Sequence, residues 1–443
     1  MRLNTKVRTP QGFTHEGAVA APMNAEQALR RSVMSCLLWE NEFYEDGQEI
    51  SERICKLAGT VAIDKLAGLA IDARERGNLR HVPLLLLSAL AKRGAGNKVV
   101  ADTIARVIQR ADELSELLAV HAKANGVTPD KIKPKLSAQM KKGLARAFTK
   151  FDEYQLAKYD RDGAVRLRDA LFLVHAKPKD DAQAALWKRL VANELTVPDT
   201  WEVGLSGGAD KKETFERLLR EGKLGYLALL RNLRNMLEAG CDETLVRDAI
   251  VARKGGAQRV LPFRYVAAAR AAPQFEPAID QALSEAIAEM PVLSGKTVVL
   301  VDVSGSMSDP LSSKSDLRRV DAAAALASII NGDLRVLVFA NNVTELAPRR
   351  GIAGVDNIVR HLGGGTHLGA AVAHVNGLKK IDRLIVITDE QSHDLVPDPT
   401  VERAYMINVA SARHGVGYGR WVHIDGFSEN VLRFIQEHEG NDR

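Results

Sequence analysis

The feature that constrains this fold most is a change of pattern near residue 290, where helical periodicity gives way to short β-branched runs. Before that point apolar residues recur at helical spacing, and glycines or prolines separate the segments. The clearest apolar helix face consists of Ile104, Val107, Ile108, Ala111, Leu114, Leu117 and Leu118. After that point apolar runs alternate with helical stretches. We therefore expect two domains of different class, residues 1–290 and residues 291–443.

In the first domain, many paired helices with almost no strand pattern predict stacked helical hairpins, an irregular α-solenoid rather than a compact bundle. Residues 82–87 (VPLLLL) begin one helix, with a proline tolerated in its first turn. Residues 224–237 (LGYLALLRNLRNML) are expected to form another, with Arg231 and Arg234 three positions apart.

In the second domain, continuous apolar strands alternate with helices, which predicts an α/β doubly wound parallel sheet covered on both faces. The expected strands are residues 296–301, 334–339, 384–388, 405–409 and 421–424. The expected helices are residues 316–330, 355–362, 368–376 and 429–438. Binding sites in such folds lie at the carboxyl ends of the strands.

The composition favours a cytoplasmic protein. No apolar run approaches the ~20 residues of a membrane helix, and the first residues carry no signal-peptide pattern. The three cysteines (Cys36, Cys55 and Cys241) lack the spacing of a disulfide framework or a zinc site. We expect no membrane partner. We also expect a monomer, because a chain of 443 residues is long enough to complete the helical-repeat domain without a second copy.

Charge is distributed unevenly along the chain. The formal net charge is +5, yet the second domain is slightly acidic, with 16 basic and 18 acidic residues from 294 to 443. Residues 131–170 contain 11 basic and five acidic residues. Only the first domain is therefore suited to a polyanion such as RNA.

An oxygen-rich motif follows the first strand of the second domain. That strand leads into Asp302, Ser304 and Ser306 in the pattern DxSxS, Thr366 follows three glycines, and Asp389 follows the strand 384–388. Hydroxyl and carboxylate oxygens at one sheet edge suit a hard divalent cation, Mg²⁺ or Mn²⁺, with a position left open for a partner's carboxylate.

Other interpretations of this motif have less support. A serine-hydrolase elbow requires a glycine two residues before the serine, and a nucleotide site requires a Walker A sequence; both are missing here. A polar turn followed by a helix cap remains the structural alternative.

The basic segment of the first domain suggests a row of phosphate contacts, because each neutralised phosphate releases a counterion. Spacings of four residues are expected to place Lys142, Arg146 and Lys150 on one helix face. Tyr154 and Tyr159 are possible stacking surfaces for unpaired bases, whereas Phe148 and Phe151 are expected in the core. The alternative is a solvated helix face with no ligand.

The oxygen-rich constellation resembles the metal-ion-dependent adhesion site of von Willebrand factor A domains, and all five motif positions are filled. The resemblance implies that Ser304, Ser306 and Thr366 ligate the cation, with Asp302 and Asp389 binding directly or through water. In that family the site is an adhesion module. Surface or helix-cap roles are expected for the neighbouring histidines, which are His361, His367, His374 and His393.

Several segments of the first domain resemble the TROVE module of the Ro autoantigen family. They are LLWENEFYEDG (37–47), FLVHAKPK (172–179), TWEVGLSGG (200–208), LALLRNLRNM (227–236) and VLPFRYVAAA (260–269). The resemblance implies a HEAT-like helical-repeat ring joined to the A domain. It also implies binding of small structured noncoding (Y-like) RNAs and of single-stranded 3′ ends of misfolded RNAs, with exoribonuclease partners in bacterial relatives.

Carried over by position, this resemblance gives a set of candidate RNA-binding residues. The principal candidates are Lys141, Lys142, Arg146, Lys150, Lys158, Arg166 and Arg168. Weaker candidates are His175, Lys177, Arg231, Arg234 and Arg264, and a packed structural role is an alternative for His175.

We interpret the chain as an RNA-binding protein acting in RNA quality control or ribonucleoprotein assembly, and not as an enzyme. The alternative is a protein-interaction scaffold that acts through the cation of its A domain, with an exoribonuclease or another protein as partner. A metal-dependent nuclease is less plausible, since the motif lacks the paired carboxylates of a two-metal site.

Overall fold

A computed structural model describes residues 12–14, 16–34, 47–260, 262–290, 292–310, 317–410, 414–426 and 430–441. Cys36 and nearly all of the resembling segment 37–47 lie outside these ranges. The chain divides into two compact units, residues 48–208 and residues 1–47 with 209–443, which are described separately below. Helix α1 (Ala25–Met34) belongs to the second of them.

The unit of residues 48–208 is helical. Its helices are α2 (Gly47–Ala58), α3 (Ile63–Glu75), α4 (His81–Arg93), α5 (Lys98–Val107), α6 (Asp112–Ala124), α7 (Ala138–Phe148), α8 (Glu153–Tyr159), α9 (Leu167–Val174), α10 (Asp181–Ala192) and α11 (Trp201–Ser206). Successive helices pack on one another, α3 on α4 and α5 on α7. Gly143 permits the closest approach, since a Cβ there would lie 2.8 Å from the Cβ of Ile104.

The apolar face predicted from Ile104 to Leu118 is fully buried, but it belongs to two helices. Helix α5 ends at Val107 and α6 begins at Asp112. The carboxylate of Glu113 accepts hydrogen bonds from the backbone N–H groups of Gln109 and Arg110, at 2.8 and 3.0 Å, and so stabilises the turn between the helices. Periodicity alone does not reveal such a break, because both sides keep the same face buried.

In the second unit, the described part of residues 209–290 forms six α-helices. They are α12 (Lys211–Arg220), α13 (Tyr226–Arg231), α14 (Leu233–Glu238), α15 (Glu243–Ala252), α16 (Pro262–Ala271) and α17 (Glu276–Ala288). The single helix predicted over 224–237 is divided at Asn232. This buried side chain donates to the carbonyl of Ala228 at 2.9 Å and accepts from the Asn235 amide at 2.9 Å. Such local side-chain bonding competes with continuation of the helix.

The rest of the second unit is a six-stranded sheet with helices. The strands are β1 (Val292–Asp302), β2 (Asn331–Phe339), β3 (Val343–Leu346), β4 (Arg383–Thr388), β5 (Arg403–Asn408) and β6 (Val422–Asp425). The helices are α18 (Arg319–Ser328), α19 (Gly351–Val359), α20 (Leu368–Asn376) and α21 (Asn430–Asn441). The strand order is β3-β2-β1-β4-β5-β6, with β3 antiparallel and the others parallel. The doubly wound sheet is confirmed, and the short edge strand β3 was not predicted.

The predicted boundary at 290 marks the change of secondary structure, but it does not separate the compact units. The helices before it pack on the sheet domain, where Arg270 of α16 pairs with buried Asp321 of α18 at 3.0 Å. Asp280 of α17 accepts from the backbone N–H of Ile352 at 2.8 Å. Residues 209–290 therefore belong structurally with the A-type sheet, and the domain prediction is corrected in this respect.

The start of the chain also joins this unit instead of the helical one. Arg31 of α1 forms a fully buried pair with Glu390 in the loop after β4, at 2.9 Å. Burial opposes ionisation of Glu390, but Arg31 and His423 lower the pKa of this carboxyl to about 2. The sequence contained no signal for this contact, which spans more than 350 residues.

In the part of the chain that the structure describes, none of the helices has both the length and the apolar character required to cross a membrane.

Arg383 on β4 fixes α21 to the sheet. Its fully buried guanidinium bonds the Glu439 carboxylate through Nε at 2.6 Å, and Nη1 donates to the Ser294 carbonyl and the Thr297 hydroxyl at 2.9 and 2.7 Å. We expect Arg383→Met to lower the free energy of unfolding by about 1.5–3 kcal/mol, since the Glu439 carboxylate loses its charged hydrogen bonds to Arg383 and keeps only the Tyr405 hydroxyl at 3.1 Å and Arg403 at 3.5 Å. Chemical denaturation measures this loss.

The matched control is Arg335→Met, which removes an exposed Arg335–Glu345 pair from the same sheet. That change should cost less than about 1 kcal/mol. Equal losses in the two variants would contradict the structural role given to Arg383.

Candidate functional site

The strand order reverses beside β1, and this reversal places two acidic residues together. β1 lies between β2 and β4, so the chain leaves the carboxyl ends of β1 and β4 in opposite directions and opens a crevice there. Asp302 is the last residue of β1, and Asp389 directly follows β4. Both side chains are fully buried.

Hydrogen bonds hold the Asp302 carboxylate in one orientation. Oδ1 accepts from the Ser304 backbone N–H at 2.9 Å, and Oδ2 accepts from the Thr388 hydroxyl at 2.6 Å. Burial and the nearby Asp389 carboxylate nevertheless raise the pKa of Asp302 to about 7. A cation between these two carboxylates would remove the repulsion that raises it.

A glycine-rich loop brings Thr366 to the same edge. The Gly363 N–H donates to the Val303 carbonyl at 2.7 Å, and the Gly305 N–H donates to the Gly364 carbonyl at 2.9 Å. Gly363 and Gly364 adopt φ values of +137° and +91°, which disfavour other residues. The predicted motif segments are thus joined backbone to backbone, and the Thr366 side chain is buried beside them.

The donor set fits a hard cation. Ser304 and Ser306 approach with their hydroxyl oxygens 3.2 Å apart, and Ser304 is buried while Ser306 is half-buried. Exposed Gly305 and Gly363 leave this side accessible to water. Among the described residues no group of three or more His, Cys, Asp or Glu side chains forms a metal cluster, so a cation here depends on hydroxyl ligands.

Sequence analysis missed one charged group at this edge, Arg319. It is the first residue of α18 and is buried, with Nη1 3.3 Å from Asp309 Oδ2 and 3.9 Å from Asp389 Oδ2. Its guanidinium offsets part of the Asp389 charge, so a cation in the crevice meets less than two full negative charges. Only the fold places this arginine near Asp389, which lies 70 positions away.

Two of the four neighbouring histidines touch the Thr366 segment. His393 Nδ1 accepts from the Thr366 backbone N–H at 3.0 Å, and its ring stacks on His367 with centroids 5.5 Å apart. His361 and His374 are exposed. The expected surface and cap roles fit these positions, and the contact of His393 with a candidate ligand residue is additional.

The basic segment lies in the unit of residues 48–208, and its cations differ in how they are bonded. Lys141 is half-buried and Lys142 is exposed on α7, and within the described chain neither has a hydrogen-bond or ion-pair partner. The same holds for three exposed lysines in the preceding turns, which are Lys131, Lys133 and Lys135. These five lysines are called the basic surface below.

Other candidates of this segment have intramolecular partners. Arg146 pairs with Asp102 at 2.5 Å. Lys150 is not on the predicted helix face, because α7 ends at Phe148; its ammonium instead caps the end of α5 by donating to the carbonyls of Ala105, at 2.6 Å, and Ile108. Burial lowers the pKa of Lys150. The prediction that Lys150 lies on one helix face with Lys142 and Arg146 is therefore wrong.

Aromatic residues near these cations divide as expected. Phe148 and Phe151 are buried, whereas Tyr154 is 47% exposed. Lys158 lies 5.8 Å from the ring centroids of both Tyr154 and Tyr159, within cation–π range.

The remaining candidates differ in burial and in bonding. Arg166 is 3.7 and 3.4 Å from the carboxylates of Asp160 and Asp162, and Arg168 is 3.9 Å from Asp169. His175 and Lys177 are exposed, so His175 is not packed. The three weaker arginine candidates belong to the other unit: Arg231 and Arg234 are exposed, and Arg264 lies 4.8 Å from the ring centroid of Phe263.

Two family models match consecutive parts of the chain. A family model described as the TROVE domain matches residues 188–281, and one described as a VWA domain containing CoxE-like protein matches residues 286–405. Residues 188–281 are therefore similar to the TROVE domain, and residues 286–405 are similar to a von Willebrand factor A domain. The class predicted from the sequence is confirmed.

The fold is that of a Ro protein. The structure is similar to the crystal structure of the Ro (RSR) protein of Deinococcus radiodurans, with a TM-score of 0.60 and 18% sequence identity. The match covers 94% of this chain and 100% of that one. The similarity shows that the two proteins share a fold.

The cation site generates a direct prediction. At 100 times its dissociation constant, Mg²⁺ should stabilise the protein by about 2.7 kcal/mol, and Asp302→Asn should abolish this gain while leaving the metal-free protein folded, because one of two repelling carboxylates is neutralised. Thermal unfolding with and without Mg²⁺ measures the effect.

Ser308→Ala, in the same loop but outside the predicted ligand set, serves as the control and should keep the full Mg²⁺ response. A response that survives in Asp302→Asn would show that the cation binds elsewhere.

Proposed function

We propose that this protein binds small structured noncoding, Y-like RNAs and the single-stranded 3′ ends of misfolded RNAs, and that it acts in cytoplasmic RNA quality control or ribonucleoprotein assembly. The proposal is supported by the TROVE match, by the Ro-type fold and by the basic surface of the helical unit. We further propose that the protein does so as a monomer.

The observation that carries this proposal is the bonding state of the lysines. Phosphate contacts release counterions only where a cation is not already neutralised by the protein. Among the described residues Lys141 and Lys142 form no ion pair, whereas Arg146 pairs with Asp102. The hydrogen bond from Arg146, with a smaller contribution from the charge of Lys142, lowers the pKa of Asp102. The Lys150 ammonium is held by two backbone carbonyls. Exposed Tyr154 beside Lys158 adds a surface on which an unpaired base can stack.

Removing two cations from the basic surface should weaken RNA binding through charge alone. We expect Lys141→Gln with Lys142→Gln to reduce affinity at least about tenfold at 0.1 M salt and to reduce the slope of log K against log salt by about 1.4–1.8. Fluorescence anisotropy with a synthetic RNA hairpin carrying a single-stranded 3′ tail measures both quantities.

Lys150→Met is the matched control. It should cost about 1–2 kcal/mol of stability through the lost hydrogen bonds to Ala105 and Ile108, with no change in the salt slope. A slope that falls in Lys150→Met but not in the Lys141/Lys142 variant would reverse the assignment of the two groups.

A second proposed function is cation-dependent binding of a protein partner, such as an exoribonuclease, through the A domain. The observation that favours it is the hydroxyl-rich sheet edge beside buried Asp302 and Asp389, where half-buried Ser306 and exposed Gly305 face solvent. Ser304, Ser306 and Thr366 would hold a divalent cation there, and the cation would supply an open coordination position for a partner's carboxylate.

Association with a purified exoribonuclease from the same cell should then require Mg²⁺, reverse in EDTA and disappear in Asp302→Asn. Binding that persists in EDTA would contradict a role for the cation, and RNA binding itself should not depend on EDTA. Pull-down of the purified proteins with and without EDTA distinguishes these results.

A further inference from the structure

The loop that follows Asp389 is held by the beginning of the chain. Residues 12–14 and 16–34, called the N-terminal strap, contact three of the four residues after Asp389. Arg31 pairs with Glu390, and Ser392 accepts at its carbonyl from the Thr14 hydroxyl at 2.8 Å and the Ala18 N–H at 3.3 Å. The fourth residue, Gln391, donates its backbone N–H to Asp389 Oδ1 at 3.1 Å.

The strap also reaches the segment of Thr366 through one histidine. Glu16 lies 2.8 Å from His393 Nε2, and the other ring nitrogen of His393 accepts from the Thr366 N–H. The His393 N–H donates in turn to the Thr366 carbonyl at 2.9 Å. The strap therefore holds the loop that begins with Asp389, and this loop is hydrogen-bonded through His393 to the second candidate ligand, Thr366.

Backbone atoms pack closely around the Arg31–Glu390 pair and leave no room for a larger residue at Gly415. Gly415 passes so close that a Cβ there would lie 2.1 Å from Glu390 Oε2, and the Gly417 N–H donates to the same oxygen at 2.9 Å. Arg31 also donates to the His414 carbonyl at 3.1 Å. Withdrawal of Arg31 leaves the buried carboxylates of Glu390 and Asp425 to share the imidazole of His423, so undocking of the strap destabilises the loop.

We propose that the N-terminal strap is a positioning element of the cation site, with Arg31 and Glu16 orienting Asp389 and Thr366 from behind. The inference rests on the cation site proposed above. Strap docking and cation binding are thermodynamically linked. Docking raises the affinity for the cation, and cation binding stabilises the docked strap by the same factor. The strap thereby acts on a site whose candidate ligands lie between residues 302 and 389.

The test measures Mn²⁺ affinity in the full-length protein by electron paramagnetic resonance of the free ion. Arg31→Met should raise the dissociation constant about 10–100-fold, the usual effect of removing a group that orients a ligand. Arg335→Met removes the same charge from an exposed pair on the same sheet and should leave the constant unchanged. A milder variant, Thr14→Val with Glu16→Gln, should raise it about fivefold, and it carries the test if Arg31→Met does not fold.

Hydrogen exchange gives a readout that a general loss of stability does not reproduce. Saturating Mn²⁺ should slow amide exchange in residues 16–34 of the wild-type protein at least about tenfold, with little effect on α3 in the other unit. Equal Mn²⁺ affinity in wild type and both strap variants would overturn the strap proposal and leave the cation site standing. A wild-type protein that binds no Mn²⁺ would overturn the cation site and the strap with it.

Discussion

Burial of two carboxylates at one sheet edge is the constraint around which the A domain is arranged. The order reversal between β1 and β4 brings Asp302 and Asp389 together, and water does not reach either side chain. Backbone N–H groups, the Thr388 hydroxyl and Arg319 each stabilise part of this charge. The hydroxyls of Ser304 and Ser306 then complete an oxygen site that suits a divalent cation.

Intramolecular bonding also separates the cations of the helical unit into two classes. An arginine or lysine that is already bonded to a carboxylate or a helix end contributes to stability, whereas one without such a partner is available to a polyanion. Arg146 and Lys150 belong to the first class, and Lys141 and Lys142 belong to the second. Sequence spacing placed Lys142, Arg146 and Lys150 in one row, and the difference between them appears only with tertiary contacts.

Much of the fold follows from local pattern. Apolar runs with helices between them are sufficient to predict the parallel sheet. Because strand ends meet at one edge, the sequence also predicts that the DxSxS motif, the glycine-rich loop and the residue after β4 lie together, and the structure brings them to that edge. The break in 224–237 depends on one buried side chain, Asn232, and the break between α5 and α6 on the Glu113 turn. Neither changes the apolar period, so periodicity does not reveal them.

Contacts between distant parts of the chain, like the two helix breaks, are not encoded in the local sequence pattern. Arg31 and Glu390 are 359 positions apart, and nothing near either residue identifies its partner. The packing of α16 and α17 on the sheet domain is of the same kind. For this reason the predicted boundary at 290 describes the sequence well and the compact units poorly.

The most direct test of the account is to purify the protein from its own cells at low salt and to sequence the nucleic acid that accompanies it. The account predicts one or two abundant, structured small RNAs that are released by raising the salt concentration, since backbone charge dominates the binding. Purification without any enriched RNA would contradict the assignment of this chain as an RNA-binding protein.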